Sequence, residues 1–104
     1  MSTSFEATVG GSYEPFDAGV VNWLRRDDQI QAGFWSCTPE EQPDIHEAEF
    51  ASNETVFIIE GNLEVEIVGG IVHRLGPGDS ASFAKGTVGR WKVLTPVKEF
   101  FVYS

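Results

Sequence analysis

Residues 54–61, ETVFIIEG, limit what this chain can fold into more than any other stretch does. They read as a buried strand that opens with a carboxylate and closes in a sharp glycine turn. Side chains repeat every second residue along a strand, so Val56 and Ile58 share one side with Glu54, while Phe57 and Ile59 share the other. Both sides are apolar, where a half-exposed strand needs only one. One side can fill the interior of the domain, and the other requires a second layer or a second subunit. If the Val56 side faces inward, Glu54 looks into the core cavity.

The neighbours of this strand follow from the rest of the chain. From Ile30 onward the segments IQAGFWSCT, DIHEAEFA, ETVFIIEG, LEVEIVGG, IVHRLG, DSASFAKG, GRWKVLT and VKEFFVYS alternate with turn residues. Short strands at regular spacing predict an all-β sandwich or barrel. Leu63, Val65 and Ile67 alternate with Glu64 and Glu66, and Gly69-Gly70 predicts a tight hairpin. Gly76-Pro77-Gly78-Asp79 predicts a second turn, because proline fixes φ and glycine allows positive φ. Residues 1–19 read as an arm with a short strand around residues 7–9, and residues 19–28 fit either a helical turn or an irregular strand. The expected organisation is one domain over residues 1–104, with an arm and lead-in segment over 1–29 and the barrel over 30–104.

Charge and cysteine content narrow the partners. A net charge of -9 over 104 residues repels phosphate backbones and anionic lipid, which argues against nucleic acid and membrane surfaces. Cys37 is the only cysteine, so no intrachain disulfide forms and a reducing compartment, the cytoplasm, is expected. The first residues carry neither a basic region nor an apolar run of signal length, and no segment approaches a membrane span.

Glu54 with Gly61 resembles the second half of the first cupin motif, GxxxxxHxHxxxxExxxxxxG, and Gly78-Asp79 before Ala84-Lys85-Gly86 resembles the second, GxxxxxPxGxxHxxxN. With Gly33-Phe34-Trp35-Ser36-Cys37-Thr38-Pro39 and Gly86-Thr87-Val88-Gly89-Arg90-Trp91, these residues resemble the cupin branch related to (S)-ureidoglycine aminohydrolase cupin domains and the ethanolamine-utilisation Q protein. The resemblance covers roughly residues 30–103. It implies a small jelly-roll β-barrel, commonly dimeric, with any site inside the barrel. It does not imply one reaction, since a fold hosts many functions.

The chain departs from the motif at its metal ligands. Glu47 and Glu49 stand at the two histidine positions of the first motif, Ala84 replaces the proline of the second, and Gly89 replaces its histidine. His46 is one residue out of phase and is expected at the rim or surface, as is His73. The motif's parity turns Glu47, Glu49 and Glu54 inward together. Two carboxylates about 5 Å apart repel by roughly 3 kcal/mol at an effective dielectric near 20, equivalent to about two pKa units. Such a group holds a proton, binds a hard cation, or receives an amine or ureido group; the other reading places Glu47 and Glu49 on a solvated edge.

Imidazoles are what a tightly held transition metal requires, so no cofactor is expected, although a divalent ion on the carboxylates is possible. Trp91, in phase with Gly89 and Val93, and Trp35 are expected to line a small-molecule pocket, or else simply to fill the core. Cys37 is expected to be a buried strand residue and Lys85 a solvated turn residue. Phe100 to Tyr103, like the strand at 54–61, is apolar on both sides, which favours a homodimer over a monomer covered by its own arm. Three functions remain open: a binding or sensing protein for a small polar or nitrogen-containing molecule; a hydrolase, lyase or isomerase on a small nitrogen compound with Glu54 as general acid or base; and a structural or regulatory dimer with a filled cavity.

Overall fold

A computed structural model describes residues 13–104. Ten strands form two antiparallel sheets, and no helix is present among these residues. The strands are β1 (Glu14–Pro15), β2 (Val20–Arg26), β3 (Gln31–Cys37), β4 (His46–Glu49), β5 (Glu54–Glu60), β6 (Leu63–Ile67), β7 (Val72–Leu75), β8 (Ser80–Phe83), β9 (Val88–Val93) and β10 (Val97–Tyr103). The larger sheet runs β1-β2-β3-β10-β5-β8 and the smaller β4-β9-β6-β7. Beside the consecutive pairs β1-β2, β2-β3 and β6-β7, neighbours in each sheet come from distant parts of the chain, the connectivity of a jelly roll.

Each of the eight segments expected after residue 30 contains a strand. The open segment at 19–28 is also a strand: β2 pairs with β3 over Val20–Arg26, with a register shift between Trp23 and Arg25. The large sheet therefore extends further toward the N-terminus than the boundary at residue 30. Its β-branched start, Val20-Val21, decides between the two readings once β3 offers a partner edge, and Val21 is fully buried. The strand expected around residues 7–9 lies outside the described residues.

Alternation puts Val56 and Ile58 of β5, Val97 and Phe101 of β10, and Leu63 and Val65 of β6 into one core, all nearly inaccessible. Removing such side chains to alanine costs about 2–5 kcal/mol. Gly61 ends β5 at φ 80°, and a Cβ there would collide with the Pro96 backbone carbonyl. Only glycine satisfies both constraints. The turn at Gly76–Asp79 packs back onto β5: the Gly78 N–H donates to the Ile58 carbonyl and the Ile58 N–H donates to the Asp79 carbonyl, each at 2.9 Å. The Asp79 carboxylate closes it by accepting the Gly76 N–H at 2.8 Å.

The outer faces differ. On the small sheet Glu64 meets Arg74 at 2.9 Å and Glu47 meets Arg90 at 2.7 Å. On the large sheet Phe34 and Phe100 pack at 5.4 Å between ring centroids, and Phe57 beside them remains 45% exposed.

Candidate functional site: an acidic, aromatic cavity

The inner face of the large sheet is built in rows across the strands. One row runs Gln31, Tyr103, Glu54, Phe83; the next Gly33, Phe101, Val56, Ala81; the next Trp35, Glu99, Ile58. The regular β10–β5 register that pairs Tyr103 with Glu54 and Phe101 with Val56 sets Glu99 opposite Ile58 on the inner face, and the register shifts only beyond it, between Glu99 and Lys98. A cavity of about 670 Å³ opens over these rows. Its mouth is framed by residues of the β1–β2 turn, the loop after β3, and β4.

The mouth is held by backbone bonding. Trp35 Nε1–H donates to the Ala18 carbonyl at 2.7 Å and ties the β1–β2 turn to β3. Beyond β3, the Thr38 N–H donates to the Glu41 carboxylate at 2.9 Å and the Glu41 N–H donates to Thr38 Oγ1 at 3.2 Å. This reciprocal pairing satisfies donors that the turn leaves free. Opposite, Phe50 and Phe83 stack at 4.8 Å, and Trp91 meets both edge-on at 5.8 and 5.5 Å.

Two carboxylates sit in this wall. Glu99 is 3% exposed, and its Oε2 finds no hydrogen-bond partner among the described residues. Burial first, and the charge of Glu54 second, hold its carboxyl well above the usual range. Glu54, half-buried, is lifted by burial to about 7. The order is physical: the deeper Glu99 keeps its proton, and a neutral Glu99 leaves burial as the cause at Glu54. Burial raises the Tyr103 phenol, with the charges of Glu54, Glu99 and Asp17 adding to it. No Lys or Arg is among the described residues that line the cavity. Gln42 is also on the wall, and its buried Nε2 has no partner either.

Of the residues singled out from sequence, Glu54, Glu49, Trp35 and Trp91 line the cavity and Glu47 does not. The inward placement of Glu47 is corrected by register: His46 faces Trp91 and Ala48 faces Gly89, so Glu47 falls opposite Arg90 on the outer face and pairs with it. Strand β4 enters one residue out of the phase that the motif spacing assigns. His46 thereby turns toward the cavity at its exposed rim, and Glu49, where β4 ends, reaches the rim as well. His73 and Lys85 are exposed, and Cys37 is buried. Burial pushes the Cys37 thiol up to about 11, which removes nucleophilic thiolate.

Glu99 and Phe50 are the residues that the sequence reading missed. Glu99 was accessible to the same argument that found Glu54, since Val97, Glu99, Phe101 and Tyr103 alternate in phase along β10. Phe50 carries no such signal, because it lies beyond the end of β4. Its ring fills the space that Gly89 leaves: a Cβ on Gly89 would lie 3.2 Å from Phe50 Cε2 and 3.4 Å from Trp91 Nε1.

The metal centre common in cupins does not fit this donor set. Glu47 is engaged by Arg90, Gly89 offers no side chain, and the aromatic rings occupy the space beside it. Among the described residues no group of three or more His, Cys, Asp or Glu is placed to hold a metal ion.

The fold and the motifs together have known counterparts. The EutQ-like cupin domain matches residues 24–101. A putative ethanolamine utilization protein EutQ from Salmonella typhimurium superposes with a TM-score of 0.73 at 19% identity, over 88% of this chain and 76% of its own. A cupin superfamily protein from Desulfitobacterium hafniense gives 0.66 at 15%, over 80% and 73%. A DUF861 family protein from Thermotoga maritima gives 0.58 at 32%, over 65% of this chain and 73% of its own. No curated protein matches the chain. The match over residues 24–101, borne on a jelly roll with its cavity on the inner face, places the chain in the family of EutQ-like cupin domains.

Proposed function

We propose that this cupin binds a small nitrogen-containing molecule in its cavity, held by Glu54 and Glu99 between the walls of Trp35 and Trp91, without a resident metal. The observation that carries this is that Glu54 and Glu99 both line the cavity with no Lys or Arg among its described lining residues. Taking carboxylates out of water without a partner costs free energy, and a ligand that donates to them offsets part of that cost.

Calorimetric titration with small amines and ureido compounds, beside metal analysis of protein purified without added metal, tests the reading. Saturable binding of one such compound, weakened in Glu54→Gln, is expected. Near-stoichiometric transition metal, or no binding by any member of the set, contradicts it.

A second reading is favoured by Glu54 itself. A carboxyl that titrates near 7 is poised to give and take protons at neutral pH, which suits a hydrolase, lyase or isomerase acting on the same molecule. Turnover of the bound compound that is lost in Glu54→Gln while binding persists distinguishes enzyme from sensor.

Two further elements belong to the proposal. The exposed Phe57 beside the half-buried Phe34 and Phe100 on the large sheet supports a homodimer, testable by sedimentation. The lone buried Cys37 and the acidic surface suit a cytoplasmic protein that engages neither nucleic acid nor membrane. Among the described residues no helix is long and apolar enough to cross a membrane.

A further inference from the structure

Taking the cavity as the ligand site argued above, we propose that it receives a small organic cation with N–H donors, an ammonium or a guanidinium, in exchange for a proton held by Glu99 and Glu54. Three observations carry this. Glu54 and Glu99 both line the cavity, and once ionised their oxygens can only accept, so a ligand atom that meets them must donate. A quaternary ammonium has no such donor. The wall also lacks any Lys or Arg among the described residues, so no protein cation competes for the carboxylates.

The surroundings have one sign. Glu54 on β5 and Glu99 and Tyr103 on β10 face Asp17 of the β1–β2 turn, Glu41 and Asp44 of the loop after β3, and Glu49 of β4, with His46 the only imidazole at the mouth. A cleft lined by one sign of charge concentrates the opposite ion. Trp35, Trp91 and Tyr103 line the same cavity, and an aromatic ring attracts a cation that meets its face. A neutral ureido molecule can donate to a carboxylate but gains nothing from this field.

The exchange balances. The carboxylic acid of the pair loses its O–H proton to solvent, its oxygen becomes an acceptor, and the ligand's N⁺–H donates to it. The charge of the filled site equals that of the protonated empty one. Uptake of the cation therefore releases acid.

The test compares n-butylguanidinium with its uncharged isostere n-butylurea, titrated calorimetrically at pH 6.5 in two buffers of different ionisation enthalpy. The cation is expected to bind at least about tenfold more tightly than the urea, consistent with the difference between charged and neutral hydrogen bonds, and to release a substantial fraction of a proton per site. In Glu99→Gln and in Glu54→Gln the preference is expected to collapse and proton release to fall, with thermal unfolding confirming that each variant is folded. Urea binding as tight as that of the cation overturns the exchange and leaves the ligand site standing. Cation binding with no proton release also overturns it. Failure of both compounds to bind removes the ligand site and the exchange together.

Discussion

The outer face of the small sheet and the inner face of the large one treat glutamate in opposite ways. Outside, Glu47 and Glu64 lie in water with Arg90 and Arg74 across the strands at 2.7 and 2.9 Å. Inside, Glu54 and Glu99 face a cavity that no described Lys or Arg reaches. The first pattern keeps a sheet face soluble and contributes little to folding, because exposed ion pairs are screened. The second opposes folding, since burial penalises the charged form and leaves an acceptor unmade. A residue that the fold must carry against its own stability points to binding or chemistry as its purpose.

The largest effect expected from breaking this contrast is at Glu99. Burial holds the Glu99 carboxyl well above its unfolded range, so the folded state opposes an ionisation that the unfolded chain permits, and at pH 8 Glu99→Gln is expected to be more stable than the parent. Below about pH 4.5 the gain disappears, because both states of the parent are then protonated. Denaturant unfolding at both pH values checks this, and equal stability of parent and variant at pH 8 contradicts it.

The parent itself supplies the next effect. The Glu54 carboxyl rises from 4.5 to about 7 on folding. A raised carboxyl contributes stability that is fully present below its unfolded value and is lost as pH rises through its folded value. Stability of the unliganded protein is therefore expected to fall between about pH 4.5 and 7, by up to about 3 kcal/mol from this group. Glu54→Gln should flatten that slope. A stability that climbs over the same range contradicts the assignment.

Smaller effects come from the wall and from the outer face. Gly89→Ala sets a methyl 3.2 Å from Phe50 Cε2 and is expected to cost about 1–3 kcal/mol through overpacking, with weaker ligand binding as Phe50 and Trp91 shift; unchanged unfolding and binding would show that the rings yield freely. Glu47→Gln should be nearly silent in both thermal unfolding and binding. A marked loss of binding in that variant would place Glu47 in the site after all.

Much of this was legible in the residues. Alternation in 63–67 determines which side of β6 faces the core, alternation in 54–61 groups Glu54 with Val56 and Ile58 without choosing the inward side, and the Gly76–Asp79 turn is visible because its residue types have few other uses. The resemblance of Glu54 and Gly61 to a cupin motif located the inner carboxylate. The same resemblance misplaced Glu47, because motif spacing assumes that β4 enters in phase, and phase is set by pairing with β9, a partner far along the chain. Glu99 was hidden among apolar neighbours that drew attention to dimer formation, although its place between Val97 and Phe101 declares its side. Phe50 and the end of β2 depend on tertiary packing, which no local pattern encodes.

The central claim is that Glu54 and Glu99 are buried without a protein cation and hold protons at neutral pH. Carbon-13 NMR of the glutamate side-chain carboxyls, assigned with Glu54→Gln and Glu99→Gln and followed from pH 3 to 9, tests it most directly. The account predicts that Glu54 titrates near 7 and that Glu99 titrates well above the ordinary carboxyl range. Titration of both carboxyls in the ordinary range near 4.3 would contradict it, and would return the pair to the status of the solvated glutamates on the outer face.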